Sequence, residues 1–321
     1  MKNVKAILIG VALCATVFAN ARIEALGGDA GFWPGDRANA TAFPHTLNDG
    51  QWVEFGNVDG AAPTGSVNWN VDGTHWGFNF DAAGNSDWMN MSWAKDGMGL
   101  SVGFQSVAAG ENTDVNTGGD VSGFDIAWGK EMGFGELGVR YTSTDDVTAD
   151  DETELTVNWR GACSFWVFDN AKAMFWMGDD NMTLSYDLFT HVKPTEAVTA
   201  LVAMGFEYKT TDAGEGTQLW LPNATLAVEA DLAEWATFRG FVEQNHVVSS
   251  DNGSAADSDN GSWNETDFGF GLGFGWTTKN ANSVSLDMEI ANTVFSDPVS
   301  EMLGMNNGNL ATGEVTLSYE F

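Results

Sequence analysis

The chain has little sulfur chemistry to offer, with two cysteines, Cys14 and Cys163, in 321 residues. One of them lies in the leader described below, so no intrachain disulfide and no cysteine metal site is expected. Basic residues are also scarce, 13 against 45 acidic ones, for a formal charge of −32. Nucleic-acid phosphates are held by clusters of Lys and Arg, and this chain has none. The same deficit argues against a binder of anionic membrane surfaces. Four histidines are present, His45, His75, His191 and His246, and only six prolines. No Gly-x-Ser-x-Gly elbow, His-Glu-x-x-His pair or phosphate loop occurs, so neither catalysis nor a cofactor is expected. After Ala21 no apolar run reaches the roughly 18 residues that a membrane-spanning helix needs.

What is present starts at the N-terminus. Lys2 and Lys5 precede an apolar run from Ala6 to Ala19, followed by Ala19-Asn20-Ala21. A charged start, a run too short to span a bilayer and a small-x-small site make a cleavable export signal. The expected cut follows Ala21, which leaves Arg22 first and the mature chain two charges more acidic. A lipid anchor is excluded because Cys14 follows Leu13, where attachment calls for a small residue. An exported chain without membrane helices enters a membrane only as a closed barrel, which satisfies its backbone hydrogen bonds internally.

From Gln51 onward the sequence alternates with period two, the spacing of strands with one apolar and one polar face. Trp76, Phe78 and Phe80 oppose Gly77, Asn79 and Asp81. Met89, Met91 and Trp93 oppose Asn90 and Ser92, and Leu100, Val102 and Phe104 oppose Ser101, Gly103 and Gln105. Phe268, Phe270, Leu272, Phe274 and Trp276 are interleaved with four glycines. Trp or Tyr recurs at the ends of apolar faces, as at Trp76, Trp128, Tyr141 and Trp276, like the aromatic girdles of membrane barrels. A secreted sandwich, the competing fold, would place its aromatics at strand centres.

Connections supply a second pattern. Short turns are read at Asp72-Gly73, Lys95-Asp96-Gly97, Gly133-Phe134-Gly135, Lys193-Pro194-Thr195 and from Thr277 to Ser283. Longer acidic connections are read at 107–120, 143–152, 210–216, 249–261 and 293–312. That alternation suits tight periplasmic turns at one end and longer extracellular loops at the other. The fold class is therefore all-β: a transmembrane antiparallel up-and-down β-barrel of about 16 strands, with 14 the alternative. The count turns on Gly161–Asp180, where Phe165–Phe168 and Met174–Met177 read either as a hairpin or as parts of two longer strands.

The chain ends Gly313-Glu-Val-Thr-Leu-Ser-Tyr-Glu-Phe321, with Val315, Leu317, Tyr319 and Phe321 on one face. This ending resembles that of Gram-negative outer-membrane β-barrel proteins, whose last strand finishes on Phe after alternating hydrophobic residues. The resemblance implies an outer-membrane location, a closing strand read by the barrel-assembly machinery, and an outer face solvated by lipid and lipopolysaccharide. Residues 22–50 break the strand pattern, with Trp33-Pro34-Gly35-Asp36 and Phe43-Pro44-His45. Within them Arg22-Ile-Glu-Ala-Leu-Gly-Gly28 resembles the mature start of the FadL-like long-chain fatty-acid transporters, where an acidic residue and an Asn-Pro-Ala element follow. Asp36 takes the acidic place, but Asn39-Ala40-Thr41 lacks the proline. This short likeness implies an N-terminal plug inside the barrel; a periplasmic lead-in to the first strand is the alternative.

A large barrel has a polar, water-facing interior. Alternation points Asp125, Asp187, Glu229, Asp287, Glu289 and Glu314 inward, against Arg140 and Arg160. An acidic pore with low-dielectric walls concentrates cations. Among the loop carboxylates, Asp257 and Asp259 with Gly261 offer oxygen ligands for Ca²⁺, although the spacing is not that of an EF-hand. The organisation expected is a signal over 1–21, an irregular segment over 22–50 and a barrel over 51–321. The function expected is a porin-like channel for small hydrophilic solutes that favours cations, with a homotrimer common in that class. A plugged carrier of hydrophobic compounds is one alternative. A structural barrel with cation-bridging loops is the other.

Overall fold

The computed structural model describes residues 20–56, 63–83, 86–107, 121–146, 152–179, 181–211, 216–251, 266–278, 283–290 and 312–321. The leader residues 1–19 and the loop carboxylates Asp257 and Asp259 lie outside them. The wall is one closed antiparallel barrel of sixteen strands in up-and-down order, sealed by β1 (Trp52–Gly56) against β16 (Thr312–Glu320). Between them run β2 (Thr64–Val71), β3 (Thr74–Ala83), β4 (Ser86–Lys95), β5 (Met98–Val107), β6 (Val121–Met132), β7 (Gly135–Asp146) and β8 (Glu152–Phe165). The second half holds β9 (Phe168–Met177), β10 (Met182–Thr195), β11 (Val198–Thr211), β12 (Gly216–Ala233), β13 (Ala236–Asp251), β14 (Thr266–Thr277) and β15 (Ser283–Ile290).

The period-two faces sort as their spacing dictates. Met89, Met91, Phe104, Phe124 and Leu317 stand exposed on the outside. Their neighbours Asn90, Gln105, Asp125, Thr316 and Ser318 are buried on the inside. Burial of large apolar side chains in water would have required the opposite, so the outer face is built for an apolar solvent. No helix among the described residues is long and apolar enough to cross a membrane; crossing falls to the strands.

Asp72 and Asp96 adopt φ of 52° ahead of Gly73 and Gly97, the left-handed pairing that makes two-residue hairpins. The ambiguous stretch near Gly161 is a single hairpin, β8 to β9, turning at Trp166-Val167. The turn expected at Lys193–Thr195 sits two residues later, between Thr195 and Val198. Pro194 lacks the N–H that a regular ladder needs, and the register shifts between Val192 and Thr195 to accommodate it. The alternation of short turns and long loops also has exceptions. β3 ends at Ala83 and β4 begins at Ser86, so one connection at the loop end is as short as a turn.

Residues 20–50 are inside this wall. They form two four-residue helices, Ala21–Glu24 and Asn39–Ala42, and 3-10 turns at Ala30–Phe32 and Pro44–Asp49. The first helix is capped by the Asn20 side chain, which accepts from the Ile23 N–H at 2.9 Å. Four residues make too few internal hydrogen bonds to hold such a helix alone, so the wall must hold it. Ile23, Leu26, Phe32, Trp33 and Ala38 pack in one buried cluster with Phe189, Leu201, Ala203 and Ala227 of the wall. Ala40 and Leu47 pack in a second with Trp52 and Ala94. Burying side chains of the larger of these types is worth roughly 1.5–3 kcal/mol each. Inward glycines let the backbones meet. A Cβ on Gly138 would lie 1.8 Å from the Ala42 carbonyl oxygen, and one on Gly99 would lie 2.3 Å from the Pro44 carbonyl carbon. Both glycines are near the short-turn ends of their strands, so the segment fills that half of the lumen.

Candidate functional site

The wall offers the segment a ring of charge, and the segment answers with its own. Arg160 of β8 is 4% exposed and reaches three groups at once. It donates from Nε to Glu136 of β7 at 2.6 Å, and from Nη1 to the Asn39 side chain at 2.9 Å and the Gly31 carbonyl at 3.1 Å. Its guanidinium also sits over the Phe43 ring, 4.9 Å from the centroid. Glu136 takes His45 Nε2 on its other oxygen at 3.2 Å. Lys172 of β9 lies between Asp187 of β10, at 3.3 Å, and Asp29 of the segment, which it contacts directly. Burial alone would raise the Asp29 carboxyl, but the Lys172 ammonium and the Gly31 N–H together hold it below the ordinary value. Asp125 of β6 pairs with Arg140 of β7, which donates onward to the Thr41 carbonyl at 3.2 Å.

A second network spans the other side. Arg22 bridges Asp36 within the segment and Glu229 of β12, the latter at 2.9 Å. Arg239 of β13 joins the same Glu229 at 3.2 Å and Asp287 of β15 at 2.6 Å. Arg37 reaches Glu54 of β1 at 3.0 Å, and Ser318 and Glu320 of β16 at 2.9 and 3.6 Å. The backbone N–H of Ala21 donates to Thr316 Oγ1 at 3.0 Å. Around these arms the segment leaves a cavity of about 630 Å³, lined in part by Arg22, Asp36, Arg37, Arg239, Ser285 and Asp287. Glu24 has no such relief: burial raises its carboxyl above the ordinary 4.5, and it repels Glu289 of β15.

Alternation therefore pointed to Asp125, Arg140, Arg160, Asp187, Glu229 and Asp287, and each stands inward, in an ion pair. Glu289 faces the segment, and Glu314 is half-buried on β16. Sequence reasoning omitted Glu54, Glu136, Lys172 and Arg239 on the wall, and Asp29 and Arg37 on the segment; it named Asp36 only through the FadL-like likeness. It also missed Phe189, which is fully buried and meets Phe32 edge-on at 5.4 Å. The signal for Phe189 was a break in alternation, since Leu188-Phe189 puts apolar side chains on both faces. At the terminus, Leu317, Tyr319 and Phe321 are exposed outward, with Tyr319 and Phe321 stacked at 5.8 Å. Val315, on the same strand, is buried among its neighbours.

These features define a transmembrane-type β-barrel whose lumen is half filled by its own N-terminal segment. No protein-family model and no curated protein sequence matches the chain. Solved structures that resemble it include BamA from Haemophilus ducreyi lacking POTRA domains 1–3, at 12% identity and TM-score 0.44, covering 84% of this chain and 69% of that one. A Pseudomonas aeruginosa FadL homologue matches at 8% identity and TM-score 0.41, over 94% and 98% of the two chains. A mutant Rhodopseudomonas blastica porin matches at 13% and 0.38, over 85% and 99%. Likeness at this level is one of barrel architecture and extends to no shared activity.

Proposed function

We propose that the protein is an outer-membrane channel for small hydrophilic solutes, narrowed by its own N-terminal segment, with cations favoured over anions. The observation that carries this reading is the polar cavity left between segment and wall at the short-turn end, which faces the periplasm. The wall inside is hydrophilic, and the segment is held by ion pairs that leave this cavity beside it. The acidic excess of the chain supports the cation preference. Several lumen acids are matched by Arg or Lys, so the preference rests on the remaining acidic excess of the chain. The outward aromatic face of β16 suits recognition by barrel-assembly machinery, and the apolar belt suits lipid and lipopolysaccharide. A homotrimer belongs to the same proposal; Ca²⁺ on the acidic loops belongs to the structural-barrel alternative.

The second reading is a carrier of hydrophobic compounds, and the occupied lumen with its Phe32, Trp33 and Phe189 packing favours it. Planar-bilayer recording under a salt gradient separates the two. The channel reading expects steady wild-type conductance with a cation-selective reversal potential. It also expects larger conductance for Arg160→Met, which unfastens Glu136, Asn39 and Gly31. Silence from both proteins would overturn it; anion selectivity would overturn only the charge preference.

A further inference from the structure

We infer that the cavity between the segment and β13–β16 is a binding subsite for an uncharged polyhydroxylated solute of mono- or disaccharide size. The volume, about 630 Å³, falls within the usual range for small-molecule pockets. Its chemistry selects against the other classes. Each of its arginines is already answered by carboxylates: Arg22 by Asp36 and Glu229, Arg239 by Glu229 and Asp287, Arg37 by Glu54 and Glu320. An anion would gain a counter-ion only by parting one of these pairs, which leaves a buried charge exposed to a low dielectric. A cation would find Asp49, whose charged form burial disfavours, and Glu320, already turned to Arg37. A hydroxyl group needs no such exchange, because it donates to a carboxylate that is already paired and accepts from a guanidinium that keeps its partner. Thr277, Ser283 and Ser285 add hydroxyls along one wall. An apolar ligand finds few partners, since, apart from Phe321 with its outward ring, the apolar members of the lining are Pro34 and Trp52. Gly35, at φ 87°, lines the cavity, and nothing lies within 4 Å of where its Cβ would be.

This deepens the channel reading, on which it rests for the claim that the bound solute is the transported class; the binding itself stands apart from conductance. The test is titration of the full-length, detergent-purified barrel with sucrose, succinate and putrescine, read by calorimetry or saturation-transfer NMR. Sucrose is expected to bind saturably and more tightly than either charged probe. Ser285→Trp, which fills the cavity, should weaken sucrose at least about tenfold, and Thr277→Trp at the mouth should weaken it as well. Thr142→Trp, on the opposite wall, should leave it unchanged. Strand circular dichroism establishes that each variant is folded, and Thr277→Trp serves if Ser285→Trp does not fold. The proposal is overturned if sucrose shows no saturable binding, if neither cavity variant weakens it, or if succinate or putrescine binds better. Sucrose binding by a barrel that is silent in bilayers would remove the channel and leave the subsite. Conductance without sucrose binding would do the reverse.

Discussion

The two sides of the lumen hold the same segment by different means. From β7 to β11 the contact is dry: Phe32 against Phe189, Trp33 against His191 at 5.0 Å, and Lys172 over the Phe32 ring at 4.0 Å, with Arg160 threaded between. From β13 through β16 to β1 the contact is made by long side chains that reach around a cavity. Apolar burial and a desolvated ion pair reinforce one another, because each keeps water from the other. The arms on the other side end in pairs of comparable burial, such as Arg239 with Asp287 at 7% and 8% exposed, but they reach across a cavity rather than through packed rings. The segment is therefore fastened along one side and only tethered along the other.

The largest effect should come from breaking the fastened side. Phe189→Ala removes a fully buried ring and leaves a hole beside Phe32, a change that costs about 3–5 kcal/mol in packed cores. Hydrogen exchange followed by mass spectrometry should show amides of residues 30–42 losing protection by about a hundredfold or more. Unchanged protection would mean that the packing is not what seats the segment. On the tethered side, Arg22→Gln removes a pair with Glu229, the two members 25% and 24% exposed, and one with Asp36, which is 5% exposed. The expected cost is about 1–2 kcal/mol, seen as a rise in exchange of about tenfold confined to residues 22–28. An effect equal to that of Phe189→Ala would erase the distinction between the two sides.

The smallest effect is a pH dependence at Glu24. Its carboxyl is raised by burial when the segment is docked, so the docked state binds a proton that the undocked state has released. The penalty is absent below the ordinary value of 4.5 and complete above the raised one. Protection near Ile23–Leu26 should thus be greater at acidic pH and fall as the pH rises through that window. Glu24→Gln should flatten the profile and restore protection at alkaline pH. A profile that keeps its slope in this variant would assign the dependence to another group.

How far these features could be read in advance depends on the range of the interactions involved. Period-two spacing is local, so the strands, their inward faces and the Asp-Gly turns were all visible in the chain. The inward positions of Asp125, Asp187 and Asp287 followed from the same rule. Their partners did not, because Lys172 meets Asp29 across 143 residues and Arg22 meets Glu229 across 207. Selectivity reasoned from the acids alone therefore counted charges that the fold neutralises. The segment was legible as something other than a strand, through Trp33-Pro34-Gly35 and Phe43-Pro44, while its place in the lumen came only from a short likeness at Arg22–Gly28. Breaks in alternation such as Leu188-Phe189 were the missed clue, since an inward apolar residue needs an apolar neighbour.

One feature of the wall also bears on the lipid around it. β3, β4 and β5 have 10 residues each, while β12 has 18 and β13 has 16. At about 3.3 Å per residue and a tilt near 40°, the shorter strands rise about 25 Å and β12 about 45 Å. The first figure matches the apolar band of a bilayer; the second exceeds it by some 20 Å. The barrel has a raised lip along one arc, standing in the headgroup layer and the water beyond. Among the described residues the wall is thus taller along β12–β13 than along β3–β5.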